Sequence, residues 1–119
     1  MNRYELQERM INFSVLVVKL TETMPKTYTG KYFGQQLLRS GSSPALHYGE
    51  VQSAESKKDF IHKMSLVLKE LRESYVNLII IKRAGFHKNG TIVSEAIKEC
   101  DELISIFVSS IQTVKRKGK

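Results

Sequence analysis

The sequence predicts an all-α protein folded as an antiparallel up-down four-helix bundle. Three observations carry that reading. Apolar residues recur at spacings of three and four over most of the chain, as one face of a helix requires. The breaks between these periodic stretches are short, which makes successive helices antiparallel neighbours. Two prolines and seven glycines in 119 residues are too few for a turn-rich β protein, and an apolar share of 41% is too high for disorder.

The first helix is expected over 6–24. Leu6, Met10, Phe13, Val17, Leu20 and Met24 form one stripe, and Ile11, Val15 and Val18 add a second beside it. An apolar arc this wide exceeds what one bundle interior needs, so the helix is expected to touch more than one neighbour. Pro25 ends it, because proline disfavours helical geometry in the residue before it. A second helix is expected over 30–53, carrying Phe33, Leu37 and Leu38. Its small residues Gly41, Ser42, Ser43, Ala45 and Gly49 let a neighbouring helix approach closely. Pro44 either restarts a helix capped by Ser43 or kinks a continuous one, at about 3 kcal/mol in an interior; a continuous, bent helix is the reading adopted.

The third helix, expected over 55–84, has the clearest period: Phe60, Met64, Val67, Leu71, Tyr75 and Leu78. Ser56 and Asp59 match a loose capping box. The GFHKNG run breaks the chain, and a fourth helix is expected over 91–115 with Thr91 as its N-cap. The expected core includes Phe13, Val17, Leu37, Phe60, Met64, Leu68, Leu71, Ile97, Ile104 and Phe107. The chain fits one domain, 1–119, ending in a basic tail, 115–119.

No run of eighteen apolar residues exists, and MNRYELQERM is too charged for a signal peptide. The expectation is therefore a cytoplasmic protein that does not meet a membrane. Cys100, the single cysteine, lies in an apolar-periodic stretch and reads as a buried, inert thiol.

Net charge is +7, and no acid follows Glu102, whereas Lys115, Arg116, Lys117 and Lys119 do. An excess of this kind favours polyanions, nucleic acid among them. Lys57, Lys58 and Lys63 lie within two turns, as a track for a phosphate backbone or as a solvated face. The candidate nucleic-acid contacts are Lys57, Lys58, Lys63, Lys115, Arg116 and Lys117. Arg39 pairs with an acid such as Glu50, Glu55 or Asp59, fixing the second helix to the third, or offers its guanidinium fork to phosphate. Tyr28, Tyr32 and Tyr48 are core-edge or interface residues, or platforms for base stacking.

Enzymatic chemistry finds little support. His47, His62 and His87 lie in different segments without metal-ligand spacing. Glu50, Glu55 and Asp59 gather at a helix start, where acids meet the positive end of the helix dipole. No cofactor, metal or small-molecule substrate is indicated. The GSS of the second helix lacks the strand and the spacing of a phosphate loop. Arg39 precedes His47 by eight residues and Arg83 precedes His87 by four, outside the five to seven that some small helical nucleases use.

One stretch carries a resemblance. QQLLRSGSSPALHYGEVQSAESKKDFIHKMSLVLKELRES resembles the signature of the 23S rRNA intervening-sequence (S23) proteins, LLRSGTSIGANIAEAxxAESxxDFIHKLSIALKEAxET. Leu37 to Gly41, Glu50, Ala54 to Ser56, Asp59 to Lys63 and Ser65 to Glu70 fit it position by position. The first helix and SSIQTVKRK are also similar to the family's. SPALHYGEV departs from the usual SIGANIAEA at Pro44, His47 and Tyr48, among others. The resemblance implies a bacterial four-helix bundle without established enzymatic activity that assembles as a homopentamer. A similar pentameric bundle, the accessory protein of diversity-generating retroelements, binds nucleic acid. Two functions follow: an oligomeric RNA- or DNA-binding protein, or a scaffold whose basic face meets an acidic protein.

Overall fold

A computed structural model of the chain describes residues 1–117. Four helices follow in order: α1 (Arg3–Glu22), α2 (Tyr28–Val51), α3 (Lys57–Ala84) and α4 (Gly90–Lys117). Residues 23–27, 52–56 and 85–89 connect them. α1 packs on α2 and α4, and α3 packs on α2 and α4, closing a four-membered ring of helices. A 28-residue helix is about 42 Å long, which fits extents of 50 × 20 × 20 Å. Short connections and this ring make an up-down bundle.

Each helix begins where a side chain takes over its unpaired backbone N–H groups. Asn2 accepts from the Glu5 N–H at 2.8 Å, Thr27 from Gly30 at 3.1 Å and Ser56 from Asp59 at 3.0 Å. The fourth cap differs from expectation. Asn89, not Thr91, accepts from the N–H groups of Thr91 and Ile92, at 3.1 and 3.3 Å. Its amide oxygen lies just outside the helix, where Thr91 already sits inside the first turn. Gly85 closes α3 at φ +69°, a left-handed conformation costly for any residue with a Cβ.

The interior is continuous. Phe13, Val17, Leu37, Met64, Leu71 and Phe107 are buried, and Phe60, Leu68, Ile97 and Ile104 pack partly buried against them. α2 runs unbroken through Pro44. Ser42 and Ser43, just before it, turn their hydroxyls onto the carbonyls of Leu38 and Arg39 four residues back, a bonding pattern that often bends a helix.

The small residues of α2 do set its packing distances. Gly41 lies against Val17 of α1: a Cβ built there would stand 2.8 Å from both Val17 methyls. On the other flank, buried Ser74 of α3 donates to buried Ser40 at 3.1 Å. Val17 has one strongly preferred rotamer in a helix and cannot swing aside. Overpacking costs about 1–3 kcal/mol, against about 1 kcal/mol gained by replacing a helical glycine with alanine. Gly41→Ala is therefore expected to destabilise the bundle by about 1 kcal/mol in urea denaturation. In a Val17→Ala background the same change should be neutral or stabilising. A stabilising Gly41→Ala in the unmodified protein would show that α1 and α2 are not in close contact there.

Candidate nucleic-acid interface

The antiparallel order brings the N-terminus of α3 and the C-terminus of α4 to one end of the bundle. Lys57 and Val114 line the same cleft, of about 620 Å³, together with Arg3, Gln52 and Phe60. Lys57 and Lys58 are exposed in the first turn of α3, and Lys115, Arg116 and Lys117 are exposed in the last turn of α4. The expected basic tail is thus helical through Lys117; Gly118 and Lys119 lie outside the described residues. Cations in that turn meet the negative end of the α4 dipole, so the same residues that hold the helix end also charge the surface.

Lys63 stands apart from this group. Its Nζ donates to Asp59 Oδ2 at 2.6 Å, one turn back on the same helix. Asp59 also accepts from the Glu55 N–H at 3.1 Å. These bonds, led by that from Lys63, hold the Asp59 carboxyl below its usual range. Asp59 thus completes the cap that Ser56 begins at α3, and the charge of Lys63 is answered within the chain.

Arg39 also finds a partner on α3, though a different one from those named. Its Nη2 bonds Glu73 Oε2 at 2.9 Å, with both side chains substantially exposed. Glu50 and Glu55 leave it out because they lie at the far end of α2 and in the following loop. A stronger clamp joins α1 to α4. The Arg9 fork donates to both Glu99 oxygens and to Glu102, each at 2.7 Å. The bond to Glu99 is the main cause that raises the pKa of the guanidinium further.

Pro44, His47 and Tyr48, three of the residues at which SPALHYGEV departs from the pattern, turn inward or across to α3. Pro44 is buried. Tyr48 is 5% exposed and meets Phe107 edge-on at 5.5 Å between ring centroids. Burial pushes its phenol above the usual range. A base cannot stack on it, so of the two tyrosine readings Tyr48 takes the core one. Tyr28 and Tyr32 remain exposed. His47 reaches Glu70 of α3, Nδ1 to Oε1, at 2.7 Å.

His87 has a role that its sequence context does not reveal. Its Nδ1 accepts from the Asn89 N–H at 3.0 Å, so Nε2 carries the proton. Nε2 then faces the Leu20 carbonyl at 3.1 Å and Thr23 Oγ1 at 3.0 Å. The α3–α4 loop is thereby docked on the last turn of α1, at a Leu20 carbonyl that also accepts from the Thr23 N–H at 3.2 Å.

A second surface feature lies on the flank. Ile11, Val15 and Val18 of α1 are 41%, 45% and 38% exposed, and Leu46 of α2 is 71% exposed. With Ala45 they line a shallow apolar cleft of about 470 Å³. The second apolar stripe of α1 is therefore left uncovered by the chain's own helices.

Among the described residues no group of three or more His, Cys, Asp or Glu side chains is placed to hold a metal. None of the described helices is long and apolar enough to cross a membrane. Cys100 is buried and donates to the Leu71 carbonyl at 3.1 Å. Burial, with smaller contributions from Asp101 and Glu99, pushes its thiol up to about 12. The native protein should accordingly resist thiol-specific reagents at about pH 8, where an ordinary cysteine is partly thiolate. Unfolding in urea should restore rapid labelling. Rapid labelling of the native chain would place Cys100 outside the core.

The fold and its surface define a helical-bundle protein with exposed cations at both ends and one apolar flank. The chain belongs to the 23S rRNA-intervening sequence protein family, whose model matches residues 2–109. The basic last turn of α4 lies beyond that match. A search of the curated proteins finds no significant match. Among solved structures, the chain is similar to a protein of unknown function from the S23 ribosomal protein family of Bacteroides thetaiotaomicron. The two share 24% identity at a TM-score of 0.84, over 94% of this chain and 99% of the other. At that identity the likeness speaks for the fold.

Proposed function

We propose that this protein is a non-enzymatic, oligomeric nucleic-acid-binding bundle that contacts RNA or DNA phosphates through its basic end. The observation that carries the reading is the meeting of Lys57 and Lys58 with Lys115, Arg116 and Lys117 at one end of the molecule. None of these five side chains has an ion-pair partner among the described residues. Membership of an rRNA intervening-sequence family supports a nucleic-acid partner without identifying one.

Self-association belongs to the same proposal. The exposed Ile11, Val15, Val18 and Leu46 make an apolar flank that a second copy would cover. A flank on α1 and α2 that meets a different face of the next copy gives a ring when the rotation closes, and a homopentamer is the ring proposed. In such a ring each basic end recurs once per subunit, and several weak phosphate contacts add through multivalency. Light scattering at micromolar concentration should give a mass of about 68 kDa, five times 13.6 kDa. A species of 13.6 kDa alone would overturn the assembly.

Salt dependence tests the binding. With about four phosphates neutralised, log K should fall against log salt with a slope of roughly −3 to −4. Replacing Lys115, Arg116 and Lys117 together by alanine should flatten that slope and weaken all sequences alike. If RNA and DNA both fail to bind at about 50 mM salt, the nucleic-acid reading falls and the basic end is left to an acidic protein partner.

A further inference from the structure

A groove of about 770 Å³ runs along the outside of the bundle between α2 and α3. Its floor is apolar, from Leu68 and Val76, and Val76 is 57% exposed. Its walls carry Arg39 from α2 and Lys69 and Arg72 from α3. Glu73 is the acid on the same walls, and it is engaged with Arg39. Lys69 and Arg72 are exposed and make no ion pair or side-chain hydrogen bond among the described residues. Positive charge in the groove thus exceeds what the chain itself neutralises.

The groove is not isolated from the basic end. Residues 58, 62, 65, 69, 72 and 76 follow one another at spacings of three and four, and every one is exposed. On a helix such residues lie on one face, about 5–6 Å apart between successive Cβ atoms. Lys58 therefore heads the same stripe that Lys69 and Arg72 continue. On the opposite wall, Tyr32 lies one turn before Gln36, which lines the groove. Tyr32 is 48% exposed, and its ring is steadied edge-on against Phe33, with centroids 5.2 Å apart.

We infer that the α2–α3 groove binds a single strand of nucleic acid, its phosphates on Lys69 and Arg72 and its bases against Leu68, Val76 and Tyr32. The inference rests on the nucleic-acid reading above and names the form of the ligand. Cations beside an exposed aromatic and an apolar floor are what an unpaired strand uses, because its base faces are free to stack. A duplex keeps those faces inside and can use the cations alone. An acidic peptide would likewise answer the charge and leave the apolar floor uncovered.

The test is fluorescence anisotropy with a labelled oligouridine of about 12 nucleotides, within the range of single-strand site sizes, and an RNA duplex of equal length. Polyglutamate serves as competitor. The unmodified protein is compared with K69E/R72E, with Tyr32→Ala and with the K115A/R116A/K117A variant, each checked for unchanged helicity by circular dichroism. The single strand should bind about tenfold more tightly than the duplex. K69E/R72E should abolish that preference, and Tyr32→Ala should weaken the single strand about fivefold or more while leaving the duplex unchanged. Equal binding of both forms, lost in the K115A/R116A/K117A variant and kept in K69E/R72E, would overturn the groove and leave the basic end as the nucleic-acid site. Binding of neither form would overturn the nucleic-acid reading and the groove together. Displacement by polyglutamate at matched charge, with Tyr32→Ala silent, would make the groove a dock for an acidic protein and refute the single strand.

Discussion

The close approach of α2 to its two neighbours is the constraint on which the rest of the bundle depends. At Gly41 there is no room for a methyl group against Val17, and at Ser40 a hydroxyl pair with Ser74 replaces what would be apolar bulk. One turn of α2 thus fixes its distance from α1 on one side and from α3 on the other. Ser14 adds a hydrogen bond to the Gly41 carbonyl at 3.1 Å, and Asn77 approaches Ser40 at 3.4 Å. With α2 so placed, the larger side chains of α1, α3 and α4 meet in one core, where Phe13, Phe107 and Leu71 are almost wholly excluded from water. Interiors at this density transmit small displacements, so a change at Gly41 is felt beyond its own contacts.

The charged cross-links act on a different level. Arg9 with Glu99 and Glu102, Arg39 with Glu73, and His47 with Glu70 each join two helices. All keep some contact with solvent, where exposed ion pairs contribute little to stability. Their effect is on pairing and register. Each links helices that are neighbours in the up-down ring, and none joins a diagonal pair. The buried groups hold the fold, and the partly exposed charges specify which helix lies beside which.

How much of this was legible in the sequence follows from the range of the interaction concerned. Helix existence, the core stripes and the continuity of α2 depend on local spacing and composition, and the periodic positions from Leu6 to Ile111 show them directly. Caps were readable where the capping residue and the first turn form a pattern, as at Ser56. The pattern misled at Thr91 because Asn89, two residues earlier, reaches the same N–H groups. Partners across helices were not readable. Arg39 had several acids within plausible reach, and only the register of α2 on α3 selects Glu73. His87 gave no signal at all, since its partners Leu20 and Thr23 lie more than sixty residues away in sequence. Tyr48 differs from Tyr28 and Tyr32 by which side of α2 faces the core.

The uncovered features of the surface are set by the same geometry. In an up-down ring each helix contacts two neighbours, and a helix with an apolar arc wider than that has some of it left facing outward. α1 is that helix, and Ile11, Val15 and Val18 form the remainder. α3 has the opposite excess: its outer stripe carries more cations than neighbouring acids answer, because Glu73 is drawn to Arg39 and Asp59 to Lys63. The two surplus faces lie on different sides of α2, one toward α1 and one toward α3. An assembly that buried the apolar flank against a face other than the α2–α3 groove would leave the cationic groove open. Self-association through α1 and binding of a polyanion along α3 are compatible in one molecule for that reason, and the helix between them, held closely on both sides, keeps the two faces apart.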